Sequence, residues 1–229
     1  MSDIKVKLLS WTNDPEKIVG YAARICYSAE EPFKLLENLG SEQIQKSIRT
    51  VKKRGHLSVL EHASFTFLID GCSRVCTHQL VRHRLASYSQ RSQRYVNEED
   101  EGYVVPNTIA KDSGALEAYR KHIDESKELY KQLLAMGIPK EDARFVIPQS
   151  VKTTIVVTMN ARELLHFFGL RMCRRAQWEI REVAALMLNE VKKVAPTIFE
   201  DAGPECISKG FCPEGNIKCY EEVKQQWKS

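Results

Sequence analysis

Arg82-His83-Arg84-Leu85-Ala86-Ser87-Tyr88-Ser89-Gln90-Arg91-Ser92-Gln93-Arg94-Tyr95 places four arginines, a histidine, two glutamines and three serines within fourteen residues, with no acid among them. A solvated helix face can also be rich in arginine, but it usually mixes in acids rather than tyrosines, serines and glutamines. The preceding run, Cys76 to Val81, is mainly apolar or neutral and is expected to be partly buried, so the cluster sits where the chain leaves a packed element. Guanidinium groups hold planar, multidentate anions well. Two readings stand: an anion site for a phosphorylated ligand, or a charged surface.

Working outward, Ser73 to Val81 reads as a helix, with Val75, Cys76, Gln79 and Leu80 near one broad face. Gln79 is either a core-edge amide or a site residue, one turn before Arg82-His83. Upstream, Phe65, Phe67 and Ile69 alternate with Thr66 and Leu68, which predicts a strand over Ala63–Asp70, ended by Gly71. Gly55-His56-Leu57-Ser58-Val59-Leu60-Glu61-His62 holds two histidines and a carboxylate, but not at the spacing of a zinc helix. Ser58 with Glu61 fits a capping box better. In that reading His62 makes structural hydrogen bonds, and His56 is freer to meet a ligand. Ile4–Ser10 reads as a first strand, with Val6 and Leu8 on one face. Asn13-Asp14-Pro15 then opens a helix through Ile25, Phe33–Leu39 forms a short segment, and another helix runs from Ser41 through Lys53.

Downstream, Asn97–Gly102 is acidic and loop-like. Ser113–Met136 is a long amphipathic helix with Leu116, Tyr119, Ile123, Leu129, Tyr130 and Leu133 at helical spacings. Lys140–Val146 is helical and places Arg144 in apolar company. A buried charge needs a partner, so Arg144 either pairs with Glu141 or Asp142 or serves a ligand. Thr153–Met159 is a strand rich in β-branched residues. Asn160, with Glu163 three positions on, starts the next helix. That helix presents Arg162 and His166, with Arg171 after Gly169-Leu170, and its free N–H groups suit a phosphate. Glu179–Val194 is amphipathic, with Ile180, Val183, Ala184, Met187, Leu188 and Val191 inside.

The chain has 229 residues, 43% hydrophobic and 28% charged, with a net charge of +4. Those are ordinary soluble-globular values, and the charge is too weak to argue for nucleic acid by itself. No apolar run approaches bilayer length, and the N-terminus lacks a signal-peptide core. A cytoplasmic protein is expected, with its seven cysteines mostly reduced. Cys206, Cys212 and Cys219 lie in a Gly/Pro-containing tail and could ligate zinc with a fourth donor. Their gaps are wider than the compact zinc pattern, and no metal is expected. The economical organisation is one α/β domain of the α+β kind over 1–203, with helices on a mainly antiparallel sheet, followed by a cysteine-containing tail over 204–229.

No glycine-rich dinucleotide fingerprint, phosphate-loop lysine or Ser-His-Asp motif stands out. Three arginine-bearing stretches (82–94, Arg144 and 160–175) point to large anionic ligands and little covalent side-chain chemistry. That suits a bound organic cofactor that carries the reaction while the protein aligns and polarises.

Arg82-His83-Arg84 with Ser92 and Arg94 resembles the signature of flavin-dependent thymidylate synthases. Gly55-His56 with Glu61-His62, Arg144 before Ile147-Pro148, Asn160-Ala161-Arg162, His166, and Leu170-Arg171 through Ala176-Gln177-Trp178-Glu179 fall in the family order. The resemblance covers roughly residues 4 to 200. It implies a compact single-domain α+β fold and a homotetramer with active sites shared between subunits. It implies FAD, and NADPH and 5,10-methylenetetrahydrofolate as co-substrates, for reductive methylation of dUMP to dTMP with release of tetrahydrofolate. Neither a nucleic-acid polymer nor a membrane is an expected partner.

Residue by residue, the resemblance makes Arg171 the activating arginine, set against the uracil edge to favour ionisation at nitrogen 3. Gln79, Arg82, Gln90, Arg91, Ser92, Gln93, Arg94 and Arg144 become nucleotide-site residues, with Ser92, Gln93 and Arg94 on the phosphate. His56, Ser58, Arg82, His83, Arg84, Gln90, Asn160, Arg162 and His166 become flavin-site residues. Ser89-Gln90 stands where the family often has Asn-Glu, so Gln90 offers hydrogen bonds but no charge. Arg175 stands where some relatives have histidine and receives no catalytic role. The alternative function is a nucleotide- or RNA-binding module without catalysis, with Tyr88 and Tyr95 available for stacking.

Overall fold

A computed structural model describes residues 3–97 and 101–227. Of the acidic loop expected over 97–102, residues 98–100 lie outside the described residues. Four strands form one antiparallel sheet: β1 (Lys5–Trp11), β2 (Ser64–Ser73), β3 (Ala86–Gln90) and β4 (Lys152–Asn160), in the order β1-β2-β4-β3. Between β1 and β2 come α1 (Pro15–Ile25), α2 (Pro32–Asn38), α3 (Ser41–Arg54) and a 3-10 turn over Leu57–His62. The helix α4 (Arg74–Leu80) joins β2 to β3. Before β4 come α5 (Asn107–Ala110), α6 (Ser113–Ala135), α7 (Lys140–Ala143) and a 3-10 turn over Arg144–Val146. After β4 come α8 (Ala161–Arg171), α9 (Trp178–Val194), α10 (Glu205–Lys209) and α11 (Ile217–Trp227).

The two central strands explain the core. Register sets Phe65 against Met159, Phe67 against Val157 and Ile69 against Ile155, and all six are buried. Period-two alternation sends them to one face, where Leu164, Phe167 and Phe168 of α8 and the expected inward stripe of α9 cover them. Phe199 meets both Phe65 and Phe168 edge to face, at 5.5 and 6.0 Å between ring centres. Each such side chain contributes about 1.5–3 kcal/mol by leaving water. The opposite face, with Thr66, Leu68, Val156 and Thr158, stays partly exposed, and the outer strands add exposed Lys7, Ser87 and Ser89.

Several local expectations change. Gly71 does not end its strand: β2 passes through it as a bulge between Asp70 and Cys72. Its φ of +81°, and the Asp3 carbonyl oxygen 2.8 Å from where a Cβ would sit, explain why a glycine stands there. Ser58 and Glu61 form no capping box; the segment is a 3-10 turn, and Glu61 pairs with Arg162 instead. His62 is exposed, and it is its backbone carbonyl that accepts from Thr12. Leu129 points outward, while Ile123, Ser126 and Tyr130 form the buried stripe of α6.

The strand β3 was not anticipated. Its Ser87 and Ser89 face outward, and only Ala86, Tyr88 and Gln90 turn partly inward, which gives a weak hydrophobic alternation. Pairing with β4 from Ala86↔Met159 to Gln90↔Ile155 supplies the backbone hydrogen bonds that make it a strand. The fold thereby places the end of α4 and Arg82-His83-Arg84 beside α8.

Candidate active site

The helix α8 starts as expected: the Asn160 side chain accepts from the Glu163 backbone N–H at 2.9 Å. The Glu163 carboxylate does not turn back toward that cap. Its Oε1 lies 2.9 Å from His83 Nδ1, and both residues are buried. Positions 163, 167 and 171 lie on one stripe of the helix, so Phe167 and Arg171 follow Glu163 along the same wall. Phe167 meets the His83 ring edge to face at 5.0 Å, and His166 lies 5.6 Å away. Arg171 Nε donates to His83 Nε2 at 3.0 Å, and its Nη2 donates to the Gln79 carbonyl at 3.3 Å. The Tyr88 hydroxyl reaches the Leu80 and His83 carbonyls at 2.9 and 2.7 Å and clamps the exit of α4.

This geometry fixes the histidine tautomer. A guanidinium N–H only donates, so His83 Nε2 accepts, Nδ1 carries the proton, and Nδ1–H donates to Glu163. His83 is therefore neutral. Burial is the main cause of its lowered pKa; the hydrogen bond to Glu163 opposes that shift, and the Arg171 charge reinforces it. His83, Glu163 and His166 place ligand atoms within 4.8 Å of one another, but this set does not suit a metal ion. Both His83 ring nitrogens are committed, and a guanidinium charge stands beside them.

The shifted histidine carries a pH dependence. A base whose folded pKa lies below its ordinary 6.5 binds more protons when unfolded, so the stability it confers is complete above 6.5. It is lost as pH falls below that value toward the folded pKa. Melting temperature is expected to fall more steeply below pH 6.5 in the native protein than in His83→Gln. Parallel pH profiles would refute a buried neutral His83.

The remaining sequence candidates fall into separate groups. Gln79 and Arg171 meet through the backbone, and His166 is exposed beside His83. Arg82 and Arg84 flank His83 and are exposed. Arg162 is paired with Glu61, which joins the N-terminus of α8 to the turn that carries exposed Ser58. His56 lines a cavity of about 460 Å³ with Arg24, Lys46 and Arg54. Arg94 and Arg144 come together around Glu141: Arg94 pairs with its carboxylate at 2.9 Å, and Arg144 donates to its carbonyl at 3.0 Å. Arg144 is thus held by the expected neighbour, but through backbone. Ser92 Oγ accepts from the Arg94 N–H, and Gln93 is buried.

Gln90 and Arg91 diverge from this cluster. Gln90 turns inward and donates to Thr77 and Thr153 at 3.1 and 3.3 Å. Arg91 pairs with Glu101 and faces a cavity with Asp70 and Lys152. The sequence reading missed Glu163 as a site residue. Its only signal was a position three residues past a cap, and its partner lies 80 residues away.

The model of the family described as thymidylate synthase complementing protein matches residues 7–197. The flavin-dependent thymidylate synthase of Geobacter sulfurreducens is 50% identical over 226 residues, covering 97% of each chain. That of Pyrococcus abyssi is 47% identical over 235 residues, covering 98% of this chain and 96% of its own. Among solved structures, the UMP/dUMP methylase PolB from Streptomyces cacaoi, bound with 5-Br dUMP, is similar with a TM-score of 0.77 at 26% identity. The match covers 92% of this chain and 96% of that one. Fold and sequence thus define an enzyme on an antiparallel-sheet α+β scaffold. The chain belongs to the flavin-dependent thymidylate synthase family.

Proposed function

We propose that this chain catalyses reductive methylation of dUMP to dTMP, dependent on FAD and NADPH, with 5,10-methylenetetrahydrofolate as methylene donor and tetrahydrofolate as second product. The carrying observation is Arg171, partly exposed and fixed at Nε and Nη2 by His83 and Gln79. Among the described residues its Nη1 has no protein hydrogen-bond partner, so one edge of the guanidinium is left for a ligand. Bound FAD supplies the hydride chemistry, drawn from NADPH.

In this reading Arg171 donates to the uracil edge and stabilises the negative charge that develops when nitrogen 3 ionises. An arginine does this electrostatically, because it does not release its proton. The Glu163–His83 pair holds the guanidinium in place, so orientation is set before substrate arrives. Arg94, Arg144, Ser92 and Gln93 grip the phosphate, with Gln79 and Arg82 on the nucleotide and Gln90 and Arg91 shaping that segment from behind.

The donor chemistry suits a flavin dinucleotide. Exposed Arg82 and Arg84, Arg162 at the N-terminus of α8, and Asn160 at its cap offer charge and N–H groups to a diphosphate. His56, Ser58 and His166 join that side, and His83 serves it by anchoring the segment between the two arginines. Two observations support a homotetramer with shared sites. The candidate residues lie in separate groups on one protomer, and one sheet face is left partly exposed. The described residues include no helix long and apolar enough to cross a membrane, in keeping with the cytoplasmic placement we propose.

The deciding measurement is a visible absorbance spectrum of the purified protein, taken before and after NADPH, with and without dUMP. Flavin bands that bleach faster with dUMP are expected. A colourless protein that cannot be loaded with FAD would sink the proposal. Arg94→Ala is expected to weaken dUMP binding roughly tenfold, as loss of a charge-assisted contact does, with FAD binding retained. Unchanged dUMP affinity by calorimetry would remove Arg94 from the phosphate. RNA that outcompeted dUMP in a salt-dependent manner would favour the binding-module alternative.

A further inference from the structure

We propose that Cys173, Cys206, Cys212 and Cys219 form a tetrathiolate site for one zinc-class divalent ion per chain, which fastens the C-terminal helices to the end of α8. The four residues come from separate places: Cys173 just past α8, Cys206 in α10, Cys212 in the turn that follows, and Cys219 in α11. All four line a single cavity of about 390 Å³, and all are free thiols. The remaining three cysteines are elsewhere, Cys26 exposed at the end of α1 and Cys72 and Cys76 in the core. The convergence is therefore selective, and it supplies the full donor complement of a closed structural zinc site. The other three thiols are near enough to act on Cys206, each raising its pKa after the larger effect of burial.

The surroundings suit the charge. A divalent ion with four thiolates carries a net charge of −2, and the same cavity wall holds three guanidinium groups, Arg171, Arg174 and Arg175, against two carboxylates, Glu205 and Glu214. Loading releases four protons, one from each thiol, and involves no redox step. The module also needs a staple. Among the described residues α10 buries no side chain and α11 buries only Val223, while Phe211 and Ile217 are 56% and 75% exposed. A short segment with so little apolar burial depends on another cross-link. Its present ties include Trp227, packed against Gly203, and two arginines beyond α8: Arg174, which pairs with Glu222 and Gln226, and Arg175, which pairs with Glu214.

Among the described residues, only the His83, Glu163 and His166 set has donor atoms within 4.8 Å of one another. The four sulfurs therefore stand wider than a loaded site, where Zn–S bonds of about 2.3 Å place tetrahedral sulfurs roughly 3.8 Å apart. Loading draws α10 and the following turn toward Cys173. Because Cys173 lies two residues past Arg171, the loaded site also steadies the helix end that carries Arg171.

The test uses the full chain, purified under reducing conditions from zinc-supplemented culture. Elemental mass spectrometry is expected to find one zinc per chain. Cobalt(II) exchanged for zinc is expected to give thiolate charge-transfer and tetrahedral ligand-field bands, read as a difference against the zinc form, which shares any flavin absorbance. Cys206→Ser and Cys212→Ser should retain less than about one tenth of the metal, with Cys26→Ser unchanged. The cobalt spectrum of the unsubstituted chain decides the matter even where a serine variant fails to fold. Folded protein with no zinc and no cobalt–thiolate bands overturns the site. So does non-reducing mass analysis that finds these four cysteines joined as disulfides, or equal metal loss in Cys26→Ser.

Discussion

Arg171→Ala is expected to lower dTMP formation by roughly 100- to 1000-fold, the range for removing one pre-positioned electrostatic donor, with FAD binding retained. The loss is confined because Arg171 is held by His83 and Gln79, whereas Arg94 and Arg144 are held by Glu141. The phosphate contacts and the flavin contacts proposed for Asn160, Arg82 and Arg84 are expected to survive the substitution. Turnover should therefore fall with little change in the dUMP dissociation constant, the pattern of an interaction made mainly in the transition state. Lysine is a poor substitute, since one point charge cannot reach His83, Gln79 and substrate together. Rapid-quench product formation, with flavin reduction followed in the same samples, separates the steps. Thymidylate turnover at the native rate in Arg171→Ala would end the activation role.

Glu163→Ala is expected to cost about 1–3 kcal/mol of stability, the range for leaving a buried hydrogen-bonding group without its partner, and also to lower turnover. Glu163 is 5% exposed, and its carboxylate accepts the Nδ1–H hydrogen bond that fixes the tautomer of His83. Without it, His83 Nδ1–H is a buried donor with no partner, and the ring is free to present the wrong nitrogen to Arg171. Glu163→Gln keeps a carbonyl oxygen for Nδ1–H, and should recover most of the stability and the native orientation of Arg171. A purely structural role predicts that turnover follows the folded fraction. A positioning role predicts reduced turnover in the fully folded alanine variant, measured well below its melting temperature, with rescue by glutamine. Equal turnover per folded chain in all three proteins would remove Glu163 and His83 from the positioning of Arg171.

Much of the scaffold was legible because its signals are local. The alternation at Phe65, Phe67 and Ile69 and the Thr-Ile-Val run of β4 announce strands buried on one face. The stripe from Ile180 to Val191 appears in the structure residue for residue. The arginine-rich segment at 82–94 marked a candidate site for the same reason: its composition is unusual in itself. Failures came where a distant partner outweighed the local preference. Glu61 serves Arg162 rather than a cap on Ser58, and Gly71 bends β2 around Asp3 instead of ending it. The edge strand β3 owes its existence to pairing with β4, so its serines gave little warning.

The sequence by itself determined the order of the main helices and of β1, β2 and β4, the apolar faces that pack, the basic character of the candidate site and the family membership. All of these follow from residue type and short-range periodicity. Tertiary structure alone decided that His83 is buried and neutral, that Glu163 holds it, and that Gln90 turns inward toward Thr77 and Thr153. It alone brought Cys173 to the three tail cysteines. The physical reason is common to these cases: a buried polar group takes the partner that the packed fold sets beside it.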